Sequence, residues 1–294
     1  MKLTPEFVDP YVNSALREDI GSGDMTTEAV LERRGKVIAR IVARQTGVIA
    51  GLPLVVRTFA LLDSGSSTVS DKADGERVSP GETVIRVTAE ARAVLAGERT
   101  ALNFLQHLSG IATRVDAYKR AMGNRAPILL DTRKTTPGLR MLEKYAVRIG
   151  GALNHRMGLF DGILIKENHQ ILAGGPEKAV RNARSRLKQK LPIEIEVHSL
   201  EDFDAAAGSG ADILLLDNMS PKQIRQAVER KPATIQLEAS GGIDTGNISG
   251  YASTGVDRIS AGGLIHAATW LDFSLMVDGW EKNPETNAPI ASKN

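Results

Sequence analysis

In the second half of this chain, charged and hydroxyl-bearing residues gather where short apolar runs end. Ile128-Leu130 is followed by Asp131-Thr132-Arg133-Lys134-Thr135-Thr136, and Ile163-Ile165 by Lys166-Glu167-Asn168-His169. Ile193-Val197 carries Glu194 and Glu196 and is followed by His198; Ile213-Leu216 ends in Asp217-Asn218. Thr234-Leu237 leads into Glu238-Ala239-Ser240-Gly241-Gly242, and Arg258-Ser260 into Ala261-Gly262-Gly263. Brought together, Arg99, Arg133, Lys134, His155, Arg156 and Lys166 would face a ligand with several negative charges. Glu196 and Asp217 would hold hydroxyls, a divalent cation or developing positive charge. Ser240-Gly241-Gly242 and Ser260 with Gly262 would offer backbone N–H groups to a phosphate.

Each piece has a plainer alternative. Arg133-Lys134 alone would read as a solvated pair at a helix entry, but the Thr-Thr-Pro-Gly turn that follows sets hydroxyls beside the charges and favours an anion site. Lys166, at a strand end, is equally a Schiff-base former or an anion contact. His155-Arg156 alone would read as a pair satisfying helix C-terminal carbonyls. His107 and His169 are expected to make local hydrogen bonds. Glu196 alone would read as a surface strand residue, but Glu194 and Glu196 share one strand face by the period of two. In a barrel that face points into the core or into the helix layer, an unpaired carboxylate is costly in both, and partners or a metal are expected. No histidine pair has zinc spacing, and no nucleophile elbow, Walker loop or dinucleotide fingerprint occurs.

The elements that must position these groups follow a strand–helix alternation from residue 126 onward. Helical stretches are expected at Leu139-Ile149, Pro176-Leu187, Leu200-Ala207, Pro221-Glu229 and Ile248-Ser253. Six strands, or seven, separated by helices imply a parallel sheet that fits a (β/α) barrel or an incomplete one, with a doubly wound sheet as the alternative; in a barrel the strand C-termini form one mouth. The first part of the chain reads differently. A helix starts at Thr4 with Pro5 at its first position, strands run over Lys36-Arg44 and Thr83-Thr88, and a helical segment covers Ala89-Met122 with a break at Ser109-Gly110. Strands and then helices in runs suggest an α+β first domain, and the rhythm changes to the second regime after about Asn124. Residues 285–294, polar with proline, are expected to form a disordered tail.

Composition excludes several classes. The 294 residues include no cysteine, so disulfides, thiolate metal sites and a cysteine nucleophile are absent. A formal net charge of +2 and 4% aromatic residues give no support to nucleic-acid binding. The start of the chain has no apolar signal core, and the longest apolar stretch, near Gly47-Val56, is too short to span a bilayer, so a cytoplasmic protein with no membrane partner is expected.

In order and spacing, these motifs resemble the quinolinate phosphoribosyltransferase family over nearly the whole chain. The similarity begins at Glu18-Asp19-Ile20-Gly21-Ser22-Gly23-Asp24-Met25-Thr26-Thr27 and continues through the segment from Gly97 to Thr113. Its most specific blocks are Asp131-Thr132-Arg133-Lys134-Thr135-Thr136-Pro137-Gly138 and Asn154-His155-Arg156. Ile165-Lys166-Glu167-Asn168-His169, Leu216-Asp217-Asn218 and Glu238-Ala239-Ser240-Gly241-Gly242 complete the set.

The resemblance implies that quinolinate and 5-phosphoribosyl-1-pyrophosphate give nicotinate mononucleotide, pyrophosphate and CO2, on the way to NAD. It implies that Arg133, His155 and Arg156 clamp the two quinolinate carboxylates, beside Thr132. Arg99 would be donated across a homodimer interface, in a dimer or a higher oligomer. Lys134 and Lys166 would contact carboxylates or pyrophosphate. Glu196 and Asp217 would hold ribose hydroxyls and Mg²⁺. Ser240, Gly241, Gly242, Ser260 and Gly262 would cradle the 5-phosphate. It also implies an α/β fold class, with an N-terminal α/β sandwich-like domain over residues 1–110 and a C-terminal incomplete (β/α) barrel over 111–270 carrying the site, and a last helical segment, around Leu271-Trp280, returning to the first domain, with residues 271–284 packed there. Three rivals stand beside this: nicotinate phosphoribosyltransferase, a non-catalytic anion-binding paralogue of the molybdenum-transport type, and a Schiff-base aldolase built on Lys166.

Overall fold

The computed structural model describes residues 3–124, 127–187 and 191–281; the expected disordered tail at 285–294 lies outside them. The chain divides into two compact units, residues 1–110 with 270–294, and residues 111–269.

In the first unit, α1 (Pro5–Ile20) and α2 (Met25–Val30) precede β1 (Lys36–Ala43), β2 (Gly47–Val48) and α3 (Leu52–Leu62). Strands β3 (Ser67–Ser70), β4 (Arg77–Val78) and β5 (Thr83–Glu90) lead into α4 (Ala91–Met122). The C-terminal strand β12 (Phe273–Trp280) joins the same sheet, ordered β12-β1-β5-β3, while β2 pairs separately with β4. Val37, Ala39 and Ile41 alternate inward from β1 and meet Val55 and Phe59 of α3 and Leu102 and Leu105 of α4 in one apolar core.

Two expectations fail here. The helical segment expected at Leu271-Trp280 is a strand, paired antiparallel to β1 from Val37↔Trp280 to Ala43↔Phe273. Its β-branched Val277 suits an extended chain, and the open edge of β1 supplies the partner. The break expected at Ser109-Gly110 is also absent, since α4 runs unbroken through it. The Ser109 hydroxyl is buried and bonded to the main chain of Ala50 as both donor and acceptor, so it does not compete with the helix's own ladder.

The second unit holds β6 (Ile128–Leu130), α5 (Arg140–Ile149), β7 (Ile163–Ile165), α6 (Glu167–Ala173), α7 (Pro176–Arg186) and β8 (Ile193–Val197). It continues with α8 (Leu200–Ala207), β9 (Ile213–Asp217), α9 (Pro221–Arg230), β10 (Gln236–Ser240), α10 (Ile248–Ala252), β11 (Arg258–Ser260) and α11 (Gly263–His266). The six strands are parallel and ordered β6-β11-β10-β9-β8-β7, leaving β6 and β7 unpaired with each other: an incomplete (β/α) barrel. The α/β class is thus as the sequence implied. β10 starts two residues later than expected because the Ile235 N–H closes a turn onto the Pro232 carbonyl. That shift draws Glu238 into the strand, where it is fully buried.

Candidate active site

Parallel strands place all six polar strand ends at one end of the sheet, and a cavity of about 710 Å³ opens there. Every expected site residue but one lines it: Thr132, Arg133, Lys134, His155, Arg156, Lys166, Glu196, Asp217, Ser240, Gly241, Gly242, Ser260 and Gly262. The exception is Arg99, which is exposed on α4 in the first unit.

The His155-Arg156 segment is held by a buried ion pair that sequence reasoning missed. Lys144, in the middle of α5, and Asp131, just after β6, are both 0% exposed. The Lys144 ammonium donates to Asp131 Oδ1 at 2.7 Å and to the carbonyls of His155 and Arg156 at 2.8 and 2.9 Å, so all three of its protons are used. Asp131 in turn accepts from Asn154 Nδ2 at 2.7 Å and from the His155 N–H at 2.8 Å. Burial pushes the Asp131 carboxyl up and the Lys144 ammonium down, and their mutual contact works against both shifts. The segment lies along the free edge of β6, with the Leu153 N–H on the Leu129 carbonyl.

On this wall Arg156 and Arg133 are neighbouring guanidinium groups. Burial, and then the charge of Arg133, lowers the pKa of Arg156. Among the described residues, Arg133 Nε is buried without a hydrogen-bond partner. Two cations that repel each other, one with a donor to spare, form a seat for an anion. His155 differs from its neighbours, because both of its ring nitrogens are engaged inside the protein. Nδ1 accepts the Arg156 N–H at 2.8 Å, and Nε2 lies 3.0 Å from Glu194 Oε2.

Across the mouth, Glu196 of β8 pairs with Lys166 Nζ at 2.5 Å. His198 sits between two carboxylates, with Nε2 3.5 Å from Glu196 and Nδ1 3.7 Å from Asp217. Their ligand atoms lie within 4.8 Å of one another, a spacing at which a cation could be held. Carboxylate oxygens on an open wall suit a hard divalent ion that keeps some of its water. His169, as expected, makes a local bond: its Nδ1 accepts the Lys166 N–H at 3.0 Å.

The third wall is the glycine-rich pair of turns. Ser260 Oγ donates to Ser240 Oγ at 3.0 Å. Gly241 has φ +94°, and a Cβ there would come 2.3 Å from Asn218 Oδ1 and 2.7 Å from Asn218 N, so no other residue fits without displacing main chain. Behind this wall are two residues the sequence reading did not single out, Arg114 and Tyr118. Arg114 Nε donates to the Gly263 carbonyl at 2.5 Å, and the Tyr118 hydroxyl donates to the Ile243 carbonyl at 3.3 Å. Their i, i+4 spacing on α4 was the available signal.

Comparison with known proteins agrees with this geometry. The family described as "Quinolinate phosphoribosyl transferase, N-terminal domain" matches residues 24–109, and its C-terminal-domain counterpart matches residues 111–276. A "Probable nicotinate-nucleotide pyrophosphorylase [carboxylating]" of Synechocystis sp. is 42% identical over 274 residues, 92% of each chain. The Mycobacterium leprae protein named "Nicotinate-nucleotide pyrophosphorylase [carboxylating]" is 41% identical, covering 90% of this chain and 95% of its own. The crystal structure of NadC from Streptococcus pyogenes superposes with a TM-score of 0.91 at 41% identity, over 96% of this chain and all of that one. Among the described residues no helix is long and apolar enough to cross a membrane.

Proposed function

Because the chain belongs to the quinolinate phosphoribosyltransferase family, we infer that it transfers the phosphoribosyl group of 5-phosphoribosyl-1-pyrophosphate to quinolinate. The transfer proceeds with decarboxylation and gives nicotinate mononucleotide, pyrophosphate and CO2. The observation that carries this reading is the division of one cavity into a cationic wall, a carboxylate wall and a glycine-rich wall. A dicarboxylate acceptor and a phosphorylated, hydroxylated donor need those three surfaces. Family membership displaces the aldolase reading of Lys166.

In this assignment Arg133 and Arg156 clamp the quinolinate carboxylates, with Thr132 and His155 on the same wall. Lys134, whose stem lies against Gly262, and Lys166 neutralise carboxylate or pyrophosphate charge. Glu196 and Asp217 hold the ribose hydroxyls, and their negative charge favours an oxocarbenium-like sugar as the C–O bond to pyrophosphate breaks. Ser240, Gly241, Gly242, Ser260 and Gly262 cradle the 5-phosphate. Glu196 and Asp217, with His198 between them, are also the residues that would hold Mg²⁺. That ion would supply charge neutralisation for the departing pyrophosphate. After transfer, the ring nitrogen is a pyridinium, which stabilises the electron pair left at C2 as CO2 departs. Arg99 is assigned to the site of a neighbouring copy in a homodimer.

The test is product analysis of the purified protein with 5-phosphoribosyl-1-pyrophosphate, Mg²⁺ and either quinolinate or nicotinate. Nicotinate mononucleotide from quinolinate alone, with equal CO2 release, is expected. Product from nicotinate without CO2 would point to the monocarboxylate enzyme. Folded protein that binds quinolinate but turns neither over would point to an anion-binding paralogue.

A further inference from the structure

One layer below the mouth lies a group of charged residues that the reaction as assigned does not use. Glu194, Glu238 and Arg258 each precede a cavity residue by two positions on their own strand: Glu196 on β8, Ser240 on β10 and Ser260 on β11. The strand period therefore points them into the same interior, a layer deeper. Glu194 is 4% exposed and Glu238 0%. Among the described residues, Glu194 Oε1 and both oxygens of Glu238 have no hydrogen-bond partner. Ser260 Oγ lies 3.0 Å from Ser240 Oγ and also acts on the Glu238 carboxyl. His155 closes the group from the side, its Nε2 3.0 Å from Glu194 Oε2 and 3.7 Å from Glu238 Oε1.

The contact between His155 Nδ1 and the Arg156 N–H locates the protons. A ring nitrogen that accepts an N–H carries no hydrogen, so His155 is a neutral imidazole with its hydrogen on Nε2, aimed at Glu194. The three side chains are close enough to surround an ion. Nε2 ligation, however, would require the hydrogen on Nδ1, where it would face the Arg156 N–H, so the ring is presented the wrong way for a metal. Glu238 then faces Glu194, and His155, the Ser260 hydroxyl and Arg258 offset a negative charge there by less than burial and Glu194 oppose it. An unpartnered buried carboxylate beside a second carboxylate is costly, whereas a neutral carboxyl is far less so.

We propose that Glu238 is a positioning residue of the quinolinate clamp, kept as a neutral acid behind His155 so that Glu194 alone receives the Nε2 hydrogen and the imidazole fixes the Arg156 main chain. The proposal rests on the assignment of quinolinate as the ligand of that wall. The charged groups facing Glu238 are Glu194 from β8, His155 from the segment beside β6, and Arg258 from β11; Lys144 of α5 acts on His155. Burial, and then the charge of Glu194, pushes the Glu238 carboxyl up to about 7, against the pull of His155, the Ser260 hydroxyl and Arg258. Burial lowers the pKa of His155, but its bond to Glu194 and the charges of Glu194 and Glu238 outweigh this and raise it. Ionising Glu238 thus draws a proton towards His155, whose Nδ1 cannot take one without losing the Arg156 N–H. A second cavity of about 340 Å³ is lined by His155, Glu194 and Arg258 among others.

The sign follows by linkage. If the neutral acid is the form that binds quinolinate well, quinolinate binding takes up protons near neutrality, and affinity falls as pH rises through about 7. The test is calorimetry of quinolinate binding to the whole protein in buffers of different ionisation enthalpy, for wild type and Glu238→Gln. Wild type should take up a fraction of a proton and lose up to about tenfold in affinity per pH unit above the transition. Glu238→Gln, which carries the neutral form permanently, should lack that uptake and show a flatter profile. Equal uptake in both proteins would overturn the proposal. Failure of wild type to bind quinolinate at all would instead overturn the assignment beneath it. Wild-type protein offers a second readout, the side-chain ¹⁵N signals of His155, identified by their loss in His155→Asn. A ring with hydrogen on Nε2 and none on Nδ1 is expected at the pH where quinolinate binds best; a ring with hydrogen on Nδ1, or a metal-bound ring, would overturn the proposal.

Discussion

Arg133 and Arg156 carry the largest share of the specificity argument, because a dicarboxylate relieves a repulsion already present between them. A charge-assisted hydrogen bond contributes about 1.5–3 kcal/mol, roughly a ten- to 150-fold change in affinity. Arg133→Ala and Arg156→Ala should each raise the quinolinate KM by that order and leave the KM for the phosphoribosyl donor much less changed. Lysine at either position should not restore it, since an ammonium cannot offer a carboxylate two parallel donors. A rise confined to the donor KM would remove both residues from the clamp. Glu238 supports a separate prediction about stability. Its pKa in the folded protein is about 7 against an ordinary 4.5, so its proton is held more tightly in the folded state. The stability this contributes is complete below about pH 4.5 and is lost as pH rises through 7. Thermal melts of Glu238→Gln against wild type should therefore shift in favour of the variant between pH 5 and pH 8, and a constant difference would show that Glu238 is not buried as an acid.

At the scale of elements, the site depends on what lies behind it. Removing one partner of a fully buried ion pair costs about 3–5 kcal/mol, because the other charge is left without compensation. Lys144→Met should destabilise the protein to that extent in urea, and any folded fraction should show weakened quinolinate binding, since His155 and Arg156 lose their carbonyl tether. Gly241→Ala, by contrast, meets Asn218 main chain and side chain at once, and should raise the KM for the phosphoribosyl donor more than that for quinolinate. A variant with both values unchanged would remove the β10 turn from the phosphate site. These supports were the part least legible in the sequence. The barrel strands could be read because each is a short apolar run ending in a polar cluster, and Glu194 and Glu196 could be read as sharing one strand face by their period, while whether that face meets the core or the helix layer needed the fold. Lys144 could not, since a lysine within an amphipathic helix is ordinarily solvated, and only the fold shows Asp131 waiting for it. The same limit applies to Phe273–Trp280, whose pattern fits a helix or a strand until the free edge of β1 decides between them.

At the scale of the whole molecule, the incomplete feature is Arg99. It is exposed in the first unit and does not line the cavity of the second. The chain also exposes large apolar side chains directly after two site segments. Leu159 and Phe160 follow Arg156 at 74% and 83% exposure, and Ile171 and Leu172 end α6 at 67% and 87%. If two copies share sites, Arg99→Ala and Lys166→Ala lesions fall in different sites of a mixed dimer. One site then carries both lesions, and the other has a native Lys166 with a native Arg99 from its neighbour. Random exchange makes half the dimers mixed, so two inactive proteins should together regain about a quarter of the wild-type activity. Subunit exchange would be verified with differently tagged copies. Recovery near that level would place Arg99 in the neighbour's site. No recovery despite demonstrated exchange would mean that each chain completes its own site, and the loss in Arg99→Ala would then have to be sought in the packing of α4.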